Sequence, residues 1–410
     1  MTNSRATREV KVPIFLTAGF RFFFLSAGLY AILAMAAWLS WLGLHAAGGA
    51  VVTPTIGVAP HLWHAHEMIF GFSVAVISGF FLTAVPNWTN TAPARAMFVS
   101  SVGGLWLAGR LAIWFSAFLP AGLVAVVDIV FLPALTIRLA NNMRNNPQPR
   151  NMVVVGLLVI VTIGNILMHL EWMGLTGDTA ATGARLALFT IGGLIAIIGG
   201  RVVPSFTRNA LRRLGQERLL PVDRPLFDRI GVVSAVAVGP LVALEAAGLP
   251  EAVAGVVAII AGLANAARLA GWQGQRTLGE PILWSLHLGF LMIAAGFLLY
   301  GAAMFVPGLG EIASLHLIAI GAVGCMTLAM MTRASLGHTG RALKVAPAIG
   351  IAYLLVAAAA LVRVFGLVAF PANYYEVIFL SGALWMAGFA IFSVVYFPVL
   401  TGPRPGLPTG

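Results

Sequence analysis

Long apolar runs separated by short polar punctuation set the pattern of this chain. Twelve of them approach or exceed the roughly 20 residues that cross a bilayer as helix. They fall at about 20–44, 62–86, 97–117, 119–141, 151–171, 184–203, 229–248, 251–271, 281–306, 313–334, 346–369 and 376–399. The period-two alternation of a membrane barrel is absent. The runs therefore predict helices, because in lipid each backbone polar group needs an internal partner. Only 9% of residues are charged, against about 25% in soluble domains. The expected fold class is an all-α polytopic membrane protein of twelve transmembrane helices. No connection is long enough for a soluble domain, so residues 1–410 read as a single transmembrane domain.

The net charge of +11 changes the picture only through its distribution. With a cytoplasmic N-terminus, 21 of the 24 Lys and Arg fall on cytoplasmic segments. The densest is Arg208 to Pro225, RNALRRLGQERLLPVDRP, while the other side holds Glu171, Asp178, Glu245, Glu251 and Glu311. That asymmetry is the positive-inside pattern, and it places both termini in the cytoplasm. The basic balance therefore points to topology and anionic lipid, and excludes nucleic acid as a partner. The first span is too long for the apolar core of a cleavable signal and is expected to be retained. The single Cys325 excludes a disulfide framework or a cysteine zinc site within one chain.

Three helix endings resemble one another. Helix two ends AVPNWTN (Ala84 to Asn90), helix six VVPSFTRNAL (Val202 to Leu211) and helix ten AMMTRASL (Ala329 to Leu336). The first two share Val-Pro-x-aromatic-Thr, and the last two share Thr-Arg-x-x-Leu. A period of four helices implies three four-helix units about a pseudo-threefold axis, a haem–copper oxidase-like arrangement, by analogy at the level of fold.

Candidate chemistry gathers at the periplasmic ends of helices two, five and ten, where His61, His64, His66, His169 and His316 fall. In HLWHAHEMIFGF (His61 to Phe72), His61, His64 and Met68 stand at i, i+3 and i+7 and form one stripe. His66 points roughly 160° away, beside Trp63 and Phe70. Imidazole suits copper, iron and zinc, and thioether favours Cu(I). One helix end can thus serve copper on one face and haem on the other, with Met168-His169 and His316 completing either site. A b-type haem leaves no CxxCH signature, and none is present. A lone interfacial His is ordinarily a wet side chain or helix cap, and His45, in the first external loop, is read that way.

Intramembrane charge is costly unless paired. Arg110 lies well inside helix three and Arg363 toward the periplasmic end of helix eleven, both able to pair with haem propionates. Snorkelling is the plainer reading for Arg363. Asp128, mid-way along helix four, is a proton carrier or the partner of an arginine. On the cytoplasmic side Arg201, Arg208, Arg268 and Arg333 accompany His287, two turns into helix nine, and His338, just beyond helix ten. Anchoring explains most of these arginines. Helix-end Trp and Tyr form interfacial belts.

Five stretches carry a resemblance: GFRFFFLSAG (Gly19 to Gly28), WHAHEMIFGFSVAVISGFFLTAVPNWT (Trp63 to Thr89), GGRVVPSFTRNAL (Gly199 to Leu211), LWSLHLGFL (Leu283 to Leu291) and MTRASLGHTGR (Met331 to Arg341). Together they resemble the NnrS family over nearly the whole chain. The resemblance implies a bacterial inner (cytoplasmic) membrane protein of twelve helices that carries haem b and copper. It further implies a role in nitric oxide metabolism and resistance to nitrosative stress, usually beside denitrification genes. The family's motif histidines map onto His64, His66, His287, His316 and His338, and its motif arginines onto Arg201, Arg208 and Arg333; His61 lies outside this motif. The functional expectation is a haem- and copper-binding protein that handles nitric oxide, with ligands among His61, His64, His66, Met68, His169, His287, His316 and His338. Turnover, sensing and sequestration remain open, and an unknown electron donor is required if nitric oxide is reduced. The rival is a metal-free secondary transporter with its site at Arg110 and Asp128.

Overall fold

The computed structural model describes residues 12–49, 53–144 and 147–406. The basic head, with Arg5, Arg8 and Lys11, lies outside the described residues. Twelve helices are long and apolar enough to cross a membrane. They are α1 Gly19–Ala46, α2 Pro60–Thr89, α3 Ala96–Trp114, α4 Ala121–Arg144, α5 Pro149–Trp172 and α6 Thr179–Arg213, followed by α7 Pro225–Glu245, α8 Glu251–Ala270, α9 Pro281–Ala303, α10 Glu311–His338, α11 Pro347–Ala369 and α12 Tyr374–Thr401. No strand occurs among the described residues. The protein is a multi-pass, all-α membrane protein.

Each span forms where the apolar run predicts it, but several ends move. The largest change is α6, whose 35 residues extend to Arg213. At 1.5 Å per residue it is roughly 50 Å long, well beyond the ~30 Å hydrocarbon core. Hydropathy ends this span near Arg201, yet helix formation needs only backbone pairing, and the basic turn continues into water. Likewise His45 sits in the last turn of α1 and His338 in the last turn of α10, rather than in loops.

The helices α2, α6 and α10 form the centre. Their most apolar windows are 72%, 78% and 72% buried, while all others except α9 lie at 50% or below. These three touch one another, and the outer helices close a ring in which α4 meets α5, α8 meets α9 and α12 returns to α1. Arg21 fastens that closure by donating to the carbonyls of Leu400 and Gly402, both at 2.8 Å.

All three central helices end in the same way. Asn90, Gly215 and Gly340 have φ of 52°, 70° and 72°. The following amides of Thr91, Gln216 and Arg341 donate to Pro86, Leu211 and Leu336 at 3.0, 2.9 and 2.9 Å. This is the closing bond of a Schellman turn, repeated each time 125 positions further along.

The outer halves of α2 and α10 share a second feature. Each contains a π-helical segment, Glu67–Ser73 and Leu317–Gly324, beginning one residue after His66 and His316. A π segment breaks the i→i−4 ladder and usually marks a functional position. In α2 side chains bond carbonyls within it. Trp106 Nε1 donates to Gly71 O at 2.9 Å and Ser73 Oγ to Met68 O at 2.7 Å.

Candidate metal centres

The first turns of α2 carry two faces, and the fold sends them to different places. His61, His64 and Met68 line a cavity of about 320 Å³ that also receives His316 from α10, Arg363 from α11 and Arg185 from α6. Trp38, Phe72, Leu188 and Ile320 supply apolar wall. The His64 ring stacks on Trp38 with centroids 4.6 Å apart and planes 14° apart. Its Nδ1 is buried and has no hydrogen-bond partner. His316 Nδ1 donates to the Ile312 carbonyl at 2.7 Å, which fixes the tautomer and leaves Nε2 with its lone pair. Two imidazoles from separate helices therefore border one space. Arg185 is held by Glu245 and Glu311 at 3.4 and 3.0 Å. Arg363 forms no ion pair among the described residues and keeps its charge available to the cavity.

His66 turns toward α4 and α5 and is fully buried. Its Nδ1 faces Glu67 Oε1 at 2.9 Å, and its Nε2 faces Asn165 Oδ1 at 2.9 Å and Asp128 Oδ2 at 3.2 Å. His169 Nε2 reaches the same Asp128 oxygen at 3.0 Å, and Asn165 Nδ2 donates to it at 2.8 Å. Arg110 Nη1 donates to Glu67 Oε1 at 2.6 Å, while Nη2 pairs with Asp128. Tyr30 donates to the other Glu67 oxygen. One guanidinium thus stands against two carboxylates, and ligand atoms of His66, Asp128 and His169 lie within 4.8 Å of one another. Gly71 is required at this point, since a Cβ there would meet the Tyr30 ring at 2.5 Å and Glu67 at 3.1 Å.

The structure therefore brings His61, His64, Met68, His316 and Arg363 together, and separately His66, His169, Arg110 and Asp128. Arg110 serves Glu67 and Asp128, so it is the partner of a carboxylate and not a free counter-charge for the larger cavity. Met168 turns away from His169 toward Gly183 of α6. His287 and His338 remain at the arginine-rich end. His287 Nε2 pairs with Thr207 Oγ1 at 2.8 Å, with its Nδ1 buried and unpartnered. His338 packs 5.6 Å from the Phe20 ring. There Arg201 donates to the Arg150 carbonyl, Arg208 pairs with Asp223, Arg268 with Asp228, and Arg333 lies over the Phe206 ring. Tyr30, Asn165 and Trp38 were not singled out from sequence. A lone Asn mid-span was the one available signal, since buried amides need partners.

A profile of the NnrS protein family matches residues 14–404. The chain belongs to the NnrS family. No curated protein matches it. In this NnrS protein the motif-bearing stretches serve separate layers, with His64, His66 and His316 at one end of the bundle and His287 and His338 at the other.

Proposed function

We propose that this NnrS protein is a bacterial inner-membrane protein that binds haem b and copper and handles nitric oxide. Family membership supports a nitric-oxide-related membrane protein. The observation that carries the finer reading is the shared cavity of His64 and His316, where a buried ring nitrogen of His64 lacks a partner. The residues present fit a haem. Each imidazole has a nitrogen to give, the walls are apolar, and Arg363 can meet propionates by charge-assisted hydrogen bonds. The volume lies within the ~300–1,000 Å³ of ordinary cofactor sites. Bound there, haem supplies an iron that takes nitric oxide.

The His66, His169 and Asp128 group has the donor set for copper. With both carboxylates ionised, Glu67, Asp128 and Arg110 would leave one negative charge, which a Cu(I) ion would neutralise. Nitric oxide is small and apolar and enters through lipid. A second cavity of about 70 Å³, walled mainly by apolar residues of α2, α6 and α10, shares Ser73 with the lining of the larger one.

Purified protein tests the reading directly. A Soret band with iron and copper bound to the protein is expected. A colourless, folded, metal-free preparation would overturn it and favour the transport reading at Arg110 and Asp128. We also propose that the twelve helices form three four-helix units about a pseudo-threefold axis, supported by the repeated Schellman turns.

A further inference from the structure

Four aromatic rings stack in a column beside the larger cavity. Trp38, Trp41 and His45 stand at i, i+3 and i+7 on one face of α1. Centroid separations are 4.6 Å from His64 to Trp38, 5.2 Å from Trp38 to Trp41 and 5.6 Å from Trp41 to His45. Interplanar angles are 14°, 16° and 16°. The outer end is exposed, and there His45 Nδ1 meets the Tyr375 hydroxyl at 2.8 Å. The inner end is the ring whose Nδ1 is buried without a partner. The column rises about 10 Å along the helix.

An interfacial belt explains Trp41 and Tyr375, because indole and phenol favour the headgroup layer. It does not explain Trp38, which leaves that layer, lines the cavity and lies parallel to His64. Nor does it require near-parallel stacking at three successive steps. Aromatic pairs commonly adopt T-shaped contacts, as Trp63 and Trp114 do here at 68°.

We propose that Trp41 and Trp38 are a one-electron relay between the exposed end of α1 and the His64 side of the cavity. Tyr375 and His45 cap its outer end. One electron would pass from an external one-electron carrier, which is oxidised, through Trp41 and Trp38 toward His64; a metal ion held there would accept it and be reduced. No bond between heavy atoms forms or breaks, and each indole returns to its starting state once the electron has passed. The terminus rests on the metal reading above, but the relay through the two indoles does not. The partner implied is a water-soluble redox carrier that docks at the exposed end near His45 and Tyr375.

The test uses metal-free full-length protein with Ala47→Cys carrying a ruthenium photo-oxidant and Cys325→Ser removing the native thiol. Flash oxidation withdraws an electron from the column and reduces the ruthenium. The expected result is a transient indolyl radical absorbance, with oxidised product mapped by peptide mass to Trp41 and Trp38. Trp41→Phe keeps a stacked ring that is far harder to oxidise, and should abolish oxidation at Trp38. Trp38 left unoxidised, or oxidised equally in Trp41→Phe, overturns the relay. Metal analysis of unstripped protein separates the two readings. Oxidised Trp38 in a protein that binds neither haem nor copper supports the relay and removes the metal terminus. Bound metal with Trp38 untouched overturns the relay alone.

Discussion

His64 and His66 are two residues apart and serve different sites. At 100° per residue the sequence separates their faces, and that separation was legible. The partners were legible only in part: His169 could be named but not assigned to a face, and nothing in a single sequence says that α5 brings Asn165 with it to the His66 side of α2. Two predictions follow from this division. His316→Ala removes one of the two cavity imidazoles and should abolish or shift the haem spectrum while the protein still inserts; His338→Ala, at the opposite end, should leave it unchanged. Unaltered haem and copper in His316→Ala would move the assignment to His287. His169→Ala, by contrast, should lower copper content and spare haem. In the same cluster Arg110→Leu leaves two buried carboxylates without a counter-charge. Removing one member of a buried pair costs about 3–5 kcal/mol, so thermal unfolding in detergent should move sharply down. Replacing Arg110 and Asp128 together should cost less than the sum of the single changes. Additive losses would show that the pair is not coupled.

The apolar pattern supplied the twelve helices because apolar length and backbone pairing decide them. It did not supply the π segments that follow His66 and His316, the first of which accepts a hydrogen bond from Trp106, or the true ends of α6. Helix endings show the limit well. Thr207-Arg208 and Thr332-Arg333 lie in register when Gly215 is placed on Gly340. The Val-Pro likeness of α2 and α6 does not, since Pro86 corresponds to Leu211 and Pro204 lies two turns earlier. The recurrence is thus carried by turn geometry more than by the Val-Pro sequence likeness. Left-handed backbone costs an ordinary side chain roughly 1–2 kcal/mol. Gly215→Ala and Gly340→Ala should each destabilise by about that amount, whereas Asn90→Gly should be neutral or stabilising. Equal tolerance of alanine in unfolding measurements would remove the Schellman turn from the account.

At the scale of the molecule, charge and helix number argue together. An even count of spans returns the chain to its starting side, and Arg21 binds the end of α12 there. The same end carries the extended, arginine-rich α6, while Glu171, Glu245 and Glu311 occupy the other. We propose that positive-inside insertion gives cytoplasmic termini, which would put both histidine clusters in the periplasmic half. A cytoplasm-active reporter fused after Gly410 should be functional, and one active only in the periplasm would overturn the topology. The proposed threefold order is the stricter claim. A structure determined by electron cryo-microscopy, with residues 1–145, 146–275 and 276–410 superposed, should bring Asn90, Gly215 and Gly340 onto one another and α2, α6 and α10 onto a common central position. Blocks that share no common order of four helices would reduce the repeat to a recurrence of one turn. A true repeat has a further consequence that such a structure would display. The position equivalent to His66 and His316 in the middle unit is Ile191, 125 residues from each. Two units would then hold an imidazole at this depth and the third an aliphatic side chain. That asymmetry would fit the placement of the His66 group beside α2 and of the His64–His316 cavity between α2 and α10, with α6 contributing wall.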